Sequence, residues 1–303
     1  MEIIRQVGDN KIVNVFIAKI NNKLLEFAES LEYPKSINEK WVLTISCLYG
    51  CPVQCLMCDA GQNYYGKISK EDMLSQIEHL ILRRFPDRNV PVSKFKIQFA
   101  RMGEPVYNTN VLDVLEELPH LYNAPGLIPS ISTIGPKNST HFLERLTDIK
   151  NKHYSNGKFQ LQFSIHTTDI EKRDNLIPIN KLTFTEISDF SNKFLRENDR
   201  KITLNFIVLD DYPINTKVIN QYFDYNKFII KLTPLNPTYK AYENELKSKL
   251  DPLNDKSIVN LVKELKKLNF DTIVSIGNLE ENNIGSNCGQ YITLANNEKS
   301  AVN

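Results

Sequence analysis

The fold of this chain is most constrained by a regular alternation of short strand-like runs with helical patterns, which begins near Lys40. Runs rich in β-branched and aromatic residues predict strands, and their alternation with helices is typical of a parallel α/β sheet. Six strands are predicted, at 41–46, 95–100, 128–133, 159–164, 202–209 and 228–232. A seventh is predicted at 271–276. The clearest helices are 70–84 and 256–268. This pattern predicts a partial (β/α)6 barrel.

With 303 residues, the chain is long enough to bury the core of one large α/β domain. We expect a short N-terminal cap over 1–37, a barrel core over 38–240 and a C-terminal segment over 241–303. Residues 233–255 are rich in Pro, Asn and Tyr, which predicts a long loop.

Charge and hydropathy exclude some classes of protein. Lys plus Arg number 37 against 36 Asp plus Glu, so the net charge of +1 does not by itself indicate a nucleic-acid-binding protein. No apolar run reaches the ~18–20 residues that a membrane helix needs. The first residues lack the layout of a signal peptide, and we therefore expect a cytoplasmic protein.

Three of the five cysteines fall within eight residues, at Cys51, Cys55 and Cys58. Such clustering favours a metal site in a reducing compartment over a disulfide framework. Three thiolates on a loop after a strand can hold three irons of a cubane cluster and leave the fourth open to a small molecule. A zinc site, which usually has four protein ligands, is the alternative.

Polar residues follow several successive predicted strands. Because the carboxyl ends of parallel strands meet at one edge of such a sheet, we expect these side chains to line a common site. The candidates are Gly103, Glu104, Ser132, Ser164, His166 and Asn236.

The three-cysteine loop resembles that of the radical S-adenosylmethionine (radical SAM) superfamily. The resemblance implies a 4Fe–4S cluster held by Cys51, Cys55 and Cys58, whose open iron binds the amino and carboxylate groups of SAM. The turn Gly103-Glu104-Pro105 looks like the superfamily's motif for the SAM amino group. A carboxylate suits that cationic group.

A narrower resemblance is to the RlmN/Cfr family of ribosomal RNA adenine methyltransferases. Six motifs occur in the family's order, at 101–108, 130–136, 163–166, 173–180, 232–237 and 284–291. The resemblance implies that Gly103, Glu104, Ser132, Ser164, His166 and Asn236 line the SAM site. It also implies an RNA substrate, ribosomal or transfer RNA, and an electron donor such as flavodoxin or ferredoxin. We expect a monomer with no membrane contact.

By the same resemblance, Cys288 accepts a methyl group that is later passed to an adenine carbon. The family's second cysteine, which forms a disulfide with the methyl-carrying one, is replaced here by Thr44. Cys47 is the remaining candidate for that role, three residues out of register. Glu29 resembles the family's acid/base glutamate if a two-residue gap is allowed, and a solvated helix face is the alternative for it.

Two other functions stay open. A radical SAM enzyme acting on a peptide or a small metabolite would keep the cluster and the SAM site, and the loss of the cysteine at Thr44 favours it. A zinc-stabilised nucleic-acid-binding module without catalysis is the second alternative.

Overall fold

The backbone of the computed structural model is organised around one sheet of ten strands, which are hydrogen-bonded in the same order as they occur in the chain. The structure describes residues 1–32, 34–61, 63–251, 253, 255–277, 284 and 289–293. The strands are β1 (Glu2–Asp9), β2 (Val13–Ile20), β3 (Lys23–Leu31), β4 (Lys40–Ile45), β5 (Lys94–Phe99), β6 (Leu127–Thr133), β7 (Gln160–Ser164), β8 (Ile202–Ile207), β9 (Phe228–Thr233) and β10 (Thr272–Val274).

The strands from β4 to β10 are parallel, whereas β1 to β4 are antiparallel. Parallel neighbours require long crossover connections, which here contain helices. The helices are α1 (Lys70–Arg84), α2 (Asn110–Leu121), α3 (Thr140–His153), α4 (Ile170–Leu176), α5 (Phe184–Phe194), α6 (Thr216–Tyr222), α7 (Tyr239–Glu243) and α8 (Val259–Lys267). The α/β fold with a parallel sheet is thus confirmed.

Residues 2–31, most of the region expected to cap the barrel, form three strands. β3 pairs directly with β4, so this antiparallel part continues the parallel sheet. Residues 233–255 are not wholly a loop, because α7 begins after Thr238, whose hydroxyl accepts a hydrogen bond from Ala241 N–H. A side-chain cap of this kind lets even a five-residue helix form.

The two faces of the parallel strands differ in polarity. Outward-facing residues such as Phe95, Ile97 and Phe99 of β5 are fully buried against the helices. The alternate residues face the lumen, and many are polar and only half-buried, as along β7 and β9. A strand's period of two separates these sets. The result is an apolar layer outside the sheet and a hydrophilic lumen inside it.

None of the helices in the described part of the chain is long and apolar enough to cross a membrane.

Candidate active site

The cysteine loop begins where β4 ends, at the carboxyl edge of the parallel strands. Its entry is fixed by the N–H groups of Cys47 and Leu48, which both donate to Met102 O, at 2.9 and 3.1 Å. Its exit is fixed by Asp59, whose carboxylate accepts hydrogen bonds from the N–H groups of Tyr239 and Lys240 at 3.1 and 2.9 Å. The loop is therefore held from both sides of the barrel.

Cys51, Cys55 and Cys58 are half-buried, free thiols on this loop. Burial raises the pKa of Cys51 to about 11, and burial with the nearby Cys51 raises the pKa of Cys55 as well. Both thiols are thus neutral at physiological pH without a metal. Metal binding would have to displace their protons.

The three thiols of this loop can serve as ligands of a metal centre. In the described part of the chain, no group of three or more His, Cys, Asp or Glu residues converges as a single metal ion requires. A lone zinc ion needs its ligands around one point, whereas in a cubane cluster each cysteine binds a different iron. The donor set of three thiols on one loop therefore fits a cluster better than a single zinc ion.

Glu104 lies beside this loop and is buried. Its carboxylate accepts hydrogen bonds from Thr133 Oγ1 at 2.5 Å and from Ile134 N–H at 2.9 Å. Burial raises the pKa of Glu104 to about 7, against these hydrogen bonds, which lower it. A cationic amine bound next to it would favour the charged carboxylate.

Gly103 precedes Glu104 with a φ of +99°, a conformation that favours glycine. A Cβ atom at this position would lie 2.5 Å from the Cβ and Cγ atoms of Leu48. Glycine is therefore required for the strand end to approach the start of the cysteine loop.

The next predicted site residues also lie near the carboxyl ends of their strands. Ser132 is half-buried, and its hydroxyl accepts a hydrogen bond of 3.3 Å from Gln162 Nε2. Ser164 is half-buried at the end of β7. Asn236 follows β9 and is exposed.

His166 is buried, with a φ of +66°. Its Nδ1 accepts a hydrogen bond from Ile207 N–H at 3.2 Å. Burial, with a smaller effect of the Arg173 charge, lowers the pKa of His166 to about 3. The imidazole is therefore neutral and acts as an acceptor.

Glu29 and Cys47, two of the predicted catalytic residues, are both buried. Glu29 lies in β3, not on a solvated helix face, and its carboxylate is bonded to Trp41 Nε1, Arg83 and Arg84 on the side of α1. The thiol of Cys47 lies 3.5 Å from Met102 O at the start of the cysteine loop, and burial together with the nearby Glu104 and Cys51 raises its pKa. Glu29 is thus directed away from the loop, whereas Cys47 lies beside it. Thr44 is half-buried in β4, opposite Ala28.

Glu26 is a site residue that the sequence did not reveal. It lies three positions before Glu29, on the opposite face of β3, and is fully buried. Its Oε1 is 2.9 Å from Arg101 Nη2, and it accepts a hydrogen bond from Gly289 N–H. Burial raises the pKa of Glu26, while Arg101 lowers it. Side chains alternate between the two faces of a strand, so a strand prediction for residues 23–31 would have placed Glu26 and Glu29 on opposite faces.

The C-terminal residues 289–293 lie against the cysteine loop. Thr293 Oγ1 is 3.3 Å from Asp59 O, and a Cβ at Gly289 would be 2.4 Å from Ala60 N. Ala60 is two residues beyond Cys58, so this contact is next to the predicted metal centre. Cys288 itself lies outside the described residues.

No protein-family model matches the chain. It is 27% identical over 216 residues to the probable dual-specificity RNA methyltransferase RlmN of Pseudothermotoga lettingae, a match that covers 68% of this chain and 58% of that protein. It is 26% identical over 294 residues to the ribosomal RNA large subunit methyltransferase Cfr of Bacillus velezensis, covering 90% of this chain and 78% of that one.

Solved structures share the fold. The radical SAM methyltransferase from Sphaerobacter thermophilus superposes with a TM-score of 0.72 at 18% identity, over 95% of this chain and 80% of that chain. Streptococcus suis SuiB bound to S-adenosylmethionine superposes with a TM-score of 0.53 at 15% identity, over 78% of this chain and 50% of that chain.

The chain therefore shares the fold of solved radical SAM proteins. In sequence it is similar to RlmN and Cfr methyltransferases, at about a quarter identity over most of its length.

Proposed function

We propose that this chain is a radical SAM methyltransferase that modifies an adenine carbon in RNA by way of Cys288. The observation that carries the proposal is the position of Gly289. This residue is joined directly to Cys288, and it packs on Ala60 just beyond the cysteine loop. The homology to RlmN and Cfr proteins supports the same chemistry.

Cys51, Cys55 and Cys58 would hold a 4Fe–4S cluster. When bound, the cluster supplies the electron that cleaves SAM into methionine and a 5′-deoxyadenosyl radical. Glu104 would bind the SAM amino group, because it is a buried carboxylate fixed by Thr133 and Ile134 at the edge of the loop. Gly103, Ser132, Ser164, His166 and Asn236 are proposed to line the remainder of the SAM site.

Glu26 replaces Glu29 as the proposed acid/base residue. Of the two glutamates of β3, only Glu26 contacts the segment that follows Cys288. Burial raises the pKa of this carboxyl, which favours proton exchange there, while Arg101 and the backbone N–H groups lower it. Cys47 is not assigned a resolving role, because its thiol is buried in the core.

The substrate of methyl transfer by way of Cys288 would be RNA. The cluster needs an external electron donor, and flavodoxin or ferredoxin is suitable for this role. We place this chemistry in the cytoplasm, on a monomer. Because Thr44 cannot form a disulfide, a peptide or small metabolite stays the second candidate substrate.

The proposal is tested by intact-mass and peptide mass spectrometry after anaerobic reconstitution and incubation with SAM. We expect a one-carbon adduct on Cys288 and none on Cys47, whose buried thiol is the internal control. An unmodified Cys288 in protein that cleaves SAM would favour the peptide or metabolite substrate. A colourless protein without iron would contradict radical SAM chemistry altogether.

A further inference from the structure

Two lysines project into the barrel lumen, away from the cysteine loop. On β5, the neighbours of Lys96 are Phe95 and Ile97, which pack outward, so Lys96 faces inward and is only 9% exposed. On β9, the outward residues Ile230 and Leu232 likewise leave Lys231 on the lumen face. We call Lys96 and Lys231 the lumen lysine pair.

More positive charge surrounds this pair. Lys94 lies directly opposite Lys40 in the β4–β5 register, and like charges in that arrangement repel. The pKa of Lys96 is lowered by the positive charges of four neighbours, Lys94, Lys40, Lys231 and Arg200. The pKa of Lys231 is lowered in the same way by Lys40.

Little negative charge balances these groups. Glu32 is already bonded to Lys35 and Lys40, and Asp271 is bonded to Lys201. Among the residues that the structure describes, no carboxylate forms an ion pair with Lys94 or with either lysine of the pair. Lys96 Nζ instead donates to the amide oxygen of Gln160. The lumen is therefore rich in cations.

Solvent reaches this region. Gln160 and Gln162 of β7 and Lys231 of β9 are all half-buried on the lumen face, so small polar molecules can enter. Clustered, partly desolvated cations are costly unless an anion lies between them. The surrounding amides supply further hydrogen-bond donors for such an anion.

We propose that the lumen lysine pair, Lys96 and Lys231, forms an oxyanion site that binds a phosphate group. Neither lysine belongs to the cysteine loop or to the residues assigned to the SAM site, and the proposal does not depend on the proposed methyl transfer. Burial and the neighbouring cations also lower the pKa of Lys96 to about 7, which gives the site a pH dependence. Protonated Lys96 would bind the anion, and neutral Lys96 would bind it less well.

The test is calorimetric titration of the full chain with sulfate and with inorganic phosphate, at constant ionic strength set with chloride. We expect both anions to bind the unmodified protein, and Lys96→Met and Lys231→Met each to weaken binding by at least about tenfold. The matched control is Lys137→Met. Lys137 is an exposed surface lysine paired with Glu186, and its replacement is expected to change nothing.

Sulfate is the probe for the pH series, because its own charge is constant in this range. Its affinity should fall between about pH 6 and about pH 8.5 in the unmodified protein as Lys96 loses its proton. Lys96→Met should remove most of this dependence. Should Lys96→Met fail to fold, Lys96→Gln and Lys231→Met provide the same comparison.

A second titration uses adenosine monophosphate. Tighter binding than inorganic phosphate would identify a nucleotide phosphate as the ligand, and equal affinity would identify a free anion; both results support an oxyanion site. Absence of sulfate and phosphate binding, or binding that both lysine variants retain, would overturn the proposal whatever the SAM-cleaving activity.

Discussion

The N–H group of Gly289 donates a hydrogen bond to the carboxylate of Glu26, a residue 263 positions earlier in the chain. This contact joins the third strand to the residue directly after Cys288. The amide N–H groups of Tyr291 and Ile292 also favour the charged form of Glu26. A single carboxylate thus collects several donors from the start of the helical stretch over residues 290–293, where unpaired N–H groups attract negative charge.

Replacing Glu26 with Gln should uncouple the C-terminal residues from the cysteine loop. We expect the one-carbon adduct on Cys288 to fall by at least about tenfold, because the anchor of residues 289–293 is lost and a buried ion pair with Arg101 is broken. SAM cleavage should persist. Mass spectrometry of Cys288 and quantification of 5′-deoxyadenosine check the two outcomes.

The matched control is Glu29→Gln on the other face of β3. It breaks buried contacts with Arg83 and Arg84, so stability should fall by about 3 kcal/mol while Cys288 modification per folded molecule is unchanged. If Glu29→Gln abolished modification and Glu26→Gln did not, our choice between the two glutamates would be wrong.

Replacing Cys58 with Ala should remove one of the three thiolates that hold the cluster. We expect the iron content of reconstituted protein to drop from about four per chain and SAM cleavage to be lost. Cys47→Ala serves as the control, because Cys47 is fully buried and lies outside the three-cysteine motif, so this variant should keep its iron. Iron assay and absorption spectra measure the difference, and full SAM cleavage by the Cys58 variant would refute the cluster assignment.

Gly103→Ala should weaken SAM binding. The new Cβ would meet Leu48 in a backbone conformation that already disfavours alanine, so the adjacent Glu104 would move, at a cost of about 1–3 kcal/mol. Gly277→Ala is a close control, since Gly277 also has a positive φ of 76° but no atom within 4 Å of its added Cβ. Equal SAM affinity of the two variants would exclude a special role for Gly103.

Stability should depend on pH through His166. Its pKa is lowered to about 3 by burial, so below about pH 6.5 the unfolded chain binds a proton that the native chain does not. The free energy of unfolding therefore decreases as the pH falls. His166 contributes a limiting slope of about 1.4 kcal/mol per pH unit, until the pH reaches the pKa of His166 in the folded protein.

Urea denaturation of the unmodified protein and of His166→Gln between about pH 7 and about pH 4 measures this contribution. The variant should show a smaller slope, whereas His141→Gln, at an exposed position, should match the unmodified protein. An identical slope for His166→Gln would show that the imidazole is not held neutral.

The strands from β4 to β9 were predictable from sequence because each buries an apolar row, as with Phe95, Ile97 and Phe99 of β5, which pack against helices. The polarity of residues 1–37 concealed three strands, since β1 is largely exposed and β3 carries two buried glutamates, one on each face. The resemblance pointed to Glu29, whereas Glu26 lies on the face that contacts Gly289. Contacts between residues 263 positions apart depend on tertiary packing, which no local pattern encodes.

The lumen lysines illustrate the same limit. A lysine between two apolar residues of a strand normally suggests a solvated face, and only the tertiary arrangement of β5 and β9 brings Lys96 and Lys231 into one electrostatic environment. The three-cysteine loop, by contrast, was evident because its ligands lie within eight residues.

The hydrogen bond between Glu26 and Gly289 also bears on how this protein can be shortened or tagged. A truncation that removed the first three strands would leave all three cysteines of the loop in place, yet it would delete the carboxylate on which residues 289–293 rest. Trimming from the other end would leave that carboxylate buried beside Arg101 with its backbone donors gone. β3 and residues 289–293 are therefore interdependent, and a shortened form of the protein should keep both.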